Sequence, residues 1–459
     1  MNARLFQKVA LLPVMLLSAL ALSADLHAQS GANSGQIVGH VLDPTGAAVQ
    51  SAGVTVRNVG TNYSRSVTTD DSGLFAVPQV PLGRYEVSVV VGGFETATQH
   101  VDVTVGSSVS ATFRLTVGAR TEAVEVSAPS LQPTRAQSTS VLTALQIQNV
   151  PTPARRLQNL IWDTPGGQIE PECSGISVAG QKGIFTNVSV DGGDCNTTFC
   201  AGTGSFRGGS ASAPTFNMDA LQEFTVTRNI FAAEFGRTTG GIVNLSTRSG
   251  TNAYHGTATY LYRDRNLTAN DAFDRAAVAK NQQISFTLGG PIARDRTFFF
   301  VAPEVQAANK PVSVLYSVLD QQNLRNTPGA QALVAIAPEE SVSAMSNVQS
   351  VVGRLDHQVA LNHRMFVRGD FAHSRALSVT GADALRSGPS NTSLTSSAVS
   401  NQSILEVWSG TALGQVTSTF GANRLNELRV MYGLEDRPRY AQGTGPEVTV
   451  QNANQTIAV

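Results

Sequence analysis

The sequence predicts a mostly β protein in three parts: a small β-sandwich, an α+β unit, and the N-terminal part of a transmembrane antiparallel β-barrel. Three observations predict it. Apolar and polar residues alternate with period two in segment after segment from Gln36 onward. The texture changes across 232–256, where small globular pieces give way to a repetitive β pattern. No internal run approaches the roughly 18–20 apolar residues of a membrane helix, and charged residues make up only 14% of the 459. A membrane barrel accommodates that composition, because its apolar residues alternate with polar ones. The net charge of −1 implies no bulk attraction to nucleic acid.

The chain opens with a leader. Arg4 and Lys8 precede an apolar run over 9–22, and Leu26-His27-Ala28 offers a small residue at a cleavage point. This order reads as a signal peptide over 1–28, cut near Ala28. An exported chain meets an oxidising compartment, so a disulfide is expected among Cys173, Cys195 and Cys200. Three pairings are possible. Cys195–Cys200 closes the shortest loop and is the first candidate. No histidine lies nearby in sequence, which counts against zinc.

Residues 36–117 form the first unit. Ile37, Gly39 and Val41, then Val54 and Val56, Phe75 and Val77, Tyr85, Val87 and Val89, and Val101, Val103 and Val105 alternate with polar neighbours. Asp43-Pro44-Thr45-Gly46 and Asp70-Asp71-Ser72-Gly73 separate them as turns. Short strands with regular turns predict a small sandwich. Asp70 is expected to serve its own turn amides and not calcium. None of the seven histidines has the spacing of a zinc peptidase, and no G-x-S-x-G elbow appears. No catalytic residue, cofactor site or metal site is expected.

Residues 118–128 are a linker. Residues 129–250 form the α+β unit. Leu157, Leu160 and Ile161 share one helical face, and Thr164-Pro165-Gly166 stops that helix. Strand-then-turn pieces follow at 176–181 and 188–193, with a further strand at 221–226. Residues 195–209, rich in Gly and Ser, read as a loop. Gly236, Gly240 and Gly241 mark tight turns, and Ile242-Val243-Asn244-Leu245 reads as a buried strand.

From 251 to 459 the pattern is barrel-like. Ile284, Phe286 and Leu288 alternate with Gln283, Ser285 and Thr287. Met365, Val367 and Phe371 alternate with Arg364, Arg368 and Asp370, and Leu428, Val430, Tyr432 and Leu434 with Glu427 and Arg429. A polar lumen and a lipid face explain this alternation. A soluble sandwich with one wet face would show it too. Long polar connections, expected at 306–350 and 376–403, favour the barrel.

Several motifs resemble a known family. G-R-T-T-G-G-I-V-N-L-S-T-R-S-G-T-N, at 236–252, looks like the end of the plug domain of TonB-dependent outer-membrane receptors. Leu288-Gly289-Gly290-Pro291-Ile292, Asp295-Arg296-Thr297-Phe298-Phe299-Phe300 and Asn426-Glu427-Leu428-Arg429 resemble the barrel of the Oar-like branch. G-H-V-L-D-P-T-G-A-A-V, T-D-D-S-G-L-F-A-V and P-L-G-R-Y-E-V-S-V resemble the carboxypeptidase regulatory-like domain, a transthyretin-like sandwich. The resemblance covers nearly everything after the leader. It implies an outer-membrane receptor or transporter of a Gram-negative-type bacterium, with its N-terminal domains periplasmic and a plug gating the barrel. It also implies a TonB-type energy transducer as partner, outer-membrane lipid around the barrel, and an extracellular ligand: siderophore, oligosaccharide or peptide. Thr121, Glu122, Ala123, Val124, Glu125 and Val126 have the place and character of the segment that pairs with TonB, a mobile strand-former suited to edge addition. A plain linker strand is the alternative there. A non-transporting adhesin or glycan-binding surface protein is the alternative for the whole.

Length bears on the barrel. A plugged transporter barrel has about 22 strands of roughly 9–11 residues each. About 200 residues follow Gly256, and the two long connections take roughly 70 of them. Seven to nine strands are expected, which leaves the barrel partial and the chain a fragment of a longer protein.

Overall fold

The structure, a computed structural model, describes residues 33–118, 138–170 (except 151–154 and 156), 175–196, 216–267 (except 229–235 and 237), 280–314, 341–378, 393–395, 403–420, 424–441, 449–451 and 456–458. Described helices are short, and none is long and apolar enough to cross a membrane.

The first unit is the expected sandwich. Its strands are β1 (Gly35–Leu42), β2 (Gly53–Asn58), β3 (Ser64–Thr68), β4 (Leu74–Val80), β5 (Gly83–Val90), β6 (Ala97–Val103) and β7 (Ser108–Arg114). One sheet runs β4-β1-β7, the other β3-β2-β5-β6. Their facing positions, including Ile37, Val54, Val56, Val77, Tyr85, Val87 and Val89, are all buried. Each such side chain taken from water stabilises the unit by about 1.5–3 kcal/mol. The Asp70 carboxylate accepts from the backbone N–H groups of Ser72 and Leu74 at 2.9 Å, the plain turn role. Strand β3 has no apolar alternation of its own, and it pairs as an edge.

The second unit comprises β8 (Ser138–Thr143), α1 (Ala144–Asn149), β9 (Gly167–Ile169), β10 (Ile176–Val178), β11 (Thr186–Val190), β12 (Gly193–Asp194), β13 (Leu221–Arg228) and β14 (Gly241–Thr247). Its main sheet runs β12-β11-β14-β13-β8, with β11 and β14 parallel. Strand β14 is buried at every residue, as its β-branched run predicts. Leu157, Leu160 and Ile161 are buried together as expected, but on a 3-10 turn over Leu157–Asp163 and not on an α-helix. The turn ends at the Thr164-Pro165-Gly166 stop, with Gly166 at φ +73°. Strand β8 and helix α1 escape a periodicity reading. Helix α1 is one short turn, started by a capping box between Thr143 and Gln146.

The third unit is a large antiparallel wall. Its strands are β15 (His255–Arg263), β16 (Lys280–Ala293), β17 (Thr297–Val314), β18 (Ser341–Ala360), β19 (His363–Ser378), β20 (Ser393–Thr395), β21 (Ser403–Phe420), β22 (Arg424–Asp436) and β23 (Arg439–Ala441). The path runs β15-β16-β17-β18-β19-β21-β22, with β20 paired to β17 and β23 to β21. The order falls in the expected range, and the barrel is partial: among the described residues β15 and β22 are not paired to each other. One expectation needs correction. The connection expected over 306–350 is strand at both ends: β17 continues to Val314 and β18 begins at Ser341, so polar residues there extend the ladder, and 315–340 lie outside the described residues. Polar content misled because a wall with a wet inner face carries polar residues in its strands.

Burial settles which way the wall faces. Ile284, Phe286 and Leu288 are 43%, 53% and 48% exposed, while Gln283, Ser285 and Thr287 are 3%, 1% and 6% exposed. Val367, Phe371, Trp408, Tyr432 and Leu434 also point outward. A water-soluble sandwich would invert this pattern: the wall carries its apolar side chains outward and its polar ones inward, as a membrane barrel does. The polar face is covered by the second unit. Asn217 there donates to the Ala302 carbonyl at 3.3 Å, and Ala220 packs with Phe300, Ala302 and Val352. The second unit is therefore a plug filling the concave side of the wall.

Candidate functional site

One plug carboxylate, that of Asp191, is paired with two arginines of the wall. Strand β11 ends at Val190, and the chain then reverses through Asp191 and Gly192, at φ +50° and +74°. Asparagine and aspartate tolerate this left-handed region better than most residues. The positive φ at Gly192 favours glycine, and an added Cβ there would displace the Arg429 guanidinium of β22. The reversal aims Asp191 into the wall with no exposure to solvent.

Four groups surround that carboxylate. The Thr247 backbone N–H donates to Oδ1 at 2.9 Å, and the Thr247 hydroxyl donates to Oδ2 at 2.7 Å. Arg354 of β18 reaches Oδ1 at 3.3 Å, and Arg368 of β19 reaches Oδ2 at 3.2 Å. Burial works against ionisation of Asp191, but the Arg354 and Arg368 guanidiniums and the Thr247 donors overcome it and hold its pKa below the ordinary carboxylate value.

The two arginines are themselves braced by the wall. Arg354 donates to Asp356 through Nε and Nη2, at 2.9 and 2.8 Å, and its guanidinium lies 4.3 Å from the centre of the Phe366 ring. Arg368 pairs with Asp370 at 3.3 Å, while the Thr411 hydroxyl donates to the same Asp370 carboxylate. A third wall arginine, Arg429, donates to the Gly192 carbonyl at 3.0 Å and to Glu427 at 2.6 Å. Below this row Arg155 and Asp219, both of the plug, pair at 2.7 Å. The set behaves as a latch. Removing Asp191 would leave two buried cations short of an anion, a cost of about 3–5 kcal/mol for a broken buried pair.

The sandwich docks at the end of the wall where β16–β17 and β18–β19 make short turns. Asn62 donates to Asp295 at 2.8 Å, and the Asn252 N–H donates to the Gly60 carbonyl at 2.9 Å. The Val105 N–H donates to the Glu223 carboxylate of the plug at 2.8 Å. Burial pushes the Glu223 pKa up to about 7, and the Val105 bond only partly offsets it.

Residues 1–28 and 121–126, with Cys173 and Cys200, lie outside the described residues. Cys195 is disulfide-bonded and buried in the plug core. No group of three or more metal-ligating side chains occurs among the described residues. Arg368 and Asp370 were legible as inward-facing charges, but Asp191 read only as part of a turn. The available signal was physical: buried arginines call for carboxylates from whatever packs over them.

Comparisons with known proteins bear on the same regions. Residues 36–116 match the carboxypeptidase regulatory-like domain, and residues 246–327 match an outer membrane beta barrel domain. Over 291 residues, 59% of the chain, it is 25% identical to the TonB-dependent transporter Oar of Myxococcus xanthus, and it spans 26% of that protein's length. Among solved structures it is similar to the siderophore receptor PirA from Pseudomonas aeruginosa, at 15% identity and a TM-score of 0.42 over 67% of this chain and 42% of that one. It is also similar to the ferric yersiniabactin uptake receptor FyuA from Yersinia pestis, at 14% identity and a TM-score of 0.44 over 67% and 42%.

Proposed function

We propose that this chain, a homologue of the Oar-type TonB-dependent transporters with a carboxypeptidase regulatory-like domain at its N-terminal end, works as the gated part of an outer-membrane uptake receptor. The single observation that supports it most is the Asp191 latch, a plug carboxylate held by two wall arginines. The short-turn end, with the sandwich, would face the periplasm, since periplasmic turns are short and extracellular loops long. A ligand would bind the loops and plug from outside. A siderophore, an oligosaccharide and a peptide all suit such a site.

A TonB-type transducer would add residues 121–126 as an edge strand and pull. That segment lies between the sandwich and β8, so the pull would reach the plug directly. The latch suits such a cycle. While the interface is dry, Asp191 and its arginines interact in a low dielectric and resist separation. Once water follows the moving plug, each charge is hydrated and the cost of keeping them apart falls. No bond is made or broken in this reading. The disulfide of Cys195 would pair with Cys200, the nearest cysteine in sequence, and would tie the turn after β12.

The experiment is deletion of 121–126 in the host cell, followed by ligand binding at the surface and ligand entry. The reading predicts that binding persists and entry stops. Equal loss of both, or unchanged entry, would overturn the coupling role, and surface binding with no entry even in the native chain would favour an adhesin.

A further inference from the structure

A cavity of about 430 Å³ lies where sandwich, plug and wall meet at the short-turn end. Its charge is unbalanced. Arg84 of the sandwich, Arg248 after β14, and Arg354 and Arg364 of the wall line it, against only two carboxylates, Asp295 and Asp356. Both carboxylates are already engaged. Asp356 receives Arg354, and Asp295 receives the side-chain amides of Asn62 and Asn252. Among the described residues Arg84, Arg248 and Arg364 have no carboxylate within ion-pair distance. Arg248 spends its Nε on the Leu221 carbonyl at 3.1 Å, and its burial lowers its pKa against the pull of Asp219. Arg248 and Arg364 are half-buried and Arg84 is exposed; withdrawing guanidiniums from water without an anion is costly, and guanidiniums bind oxyanions in a bidentate fork.

We propose that this cavity binds a small, multiply charged oxyanion, a phosphate or polycarboxylate solute, between Arg84, Arg248 and Arg364. The wall residues that line it, such as Phe366, Gln415 and Thr417, are inward-facing, so the anion comes from water and not from lipid. The cavity also touches the latch, because Arg354 and Thr247 belong to both. A bound dianion competes with Asp191 for Arg354 and weakens the hold on the plug. The binding stands apart from the uptake reading, whereas its meaning for gating rests on it.

The test is calorimetric titration of the full chain in detergent, at constant ionic strength, with pyrophosphate and separately with citrate as probes. Saturable binding of at least one is expected. Arg84→Gln and Arg364→Gln should each weaken it by about tenfold or more, as loss of a charge-assisted contact requires. Arg84→Lys and Arg364→Lys should keep most of the affinity, since a point charge remains. Neither Arg84 nor Arg364 belongs to the buried core, so the variants keep the fold. Hydrogen exchange at the Thr247 amide should quicken when pyrophosphate is bound. Absence of saturable binding by both probes, or Gln variants that bind as tightly as the native chain, would overturn the site. Binding with unchanged Thr247 exchange would overturn its action on the latch.

Discussion

The sandwich and the wall are written in the same alternation and folded in opposite senses. In the sandwich Val54, Val56, Val87 and Val89 are buried, and the Arg57–Glu86 pair lies in solvent. In the wall Ile284, Phe286 and Leu288 face outward, while Gln283, Ser285 and Thr287 are covered. Period two therefore announces a strand but says nothing about which face meets water. What decides is the partner of each face. The sandwich has a second sheet to bury its valines, whereas the wall turns its polar face to the plug and leaves its apolar face uncovered.

The contrast can be broken most severely in the sandwich. Val87→Asp places a charge where no solvent reaches, a change expected to cost more than about 4–5 kcal/mol. Residues 36–117, expressed alone, should lose their β circular dichroism. A cooperative melt like that of the native unit would show that this face is not a core. At the plug–wall interface, Asp191→Ala should cost about 3–5 kcal/mol by taking from Arg354 and Arg368 the buried carboxylate they share. Hydrogen exchange of β11 and β14 should accelerate while the wall stays protected. Unchanged exchange would mean that apolar packing alone holds the plug. On the outer face, Phe286→Arg should cost about 2–4 kcal/mol in assembly, as expected at mid-bilayer. Heat-modifiable mobility of the membrane-assembled chain would measure it, and a neutral result would argue against lipid at that face.

Sequence reading reached the alternation, the turns, and the inward charges Arg368 and Asp370, because each depends on neighbours within a few residues. It missed β8, whose Ser-Thr-Ser run carries no periodicity and becomes a strand only by pairing with β13. It missed the latch for the same reason: Asp191 and Arg368 are 177 residues apart, and only the fold joins them. It overstated the 306–350 loop because it read polar residues as loop residues, a rule that fails where strands face a polar interior.

The smallest expected effect concerns the seam between sandwich and plug. Glu223 is raised from 4.5 to about 7 by burial. A carboxyl with a raised folded value favours the docked state fully below its ordinary value, and that contribution fades as pH climbs through about 7. Exchange protection at the Val105 amide should therefore fall between pH 5 and 8. Glu223→Gln should flatten that dependence. A flat profile in the native chain would show the carboxyl is not sealed by the docked sandwich.

The most direct measurement of the wall's reversed polarity is spin-label accessibility along β16 in lipid bilayers. Single cysteines at 283 through 288 would be labelled and exposed in turn to oxygen, which concentrates in the hydrocarbon, and to a water-soluble relaxant. Labels at Ile284, Phe286 and Leu288 should collide with oxygen and avoid the aqueous reagent. Labels at Gln283, Ser285 and Thr287 should be shielded from both by the plug. Collision of the first set with the aqueous reagent, or the same response at all six positions, would contradict the account.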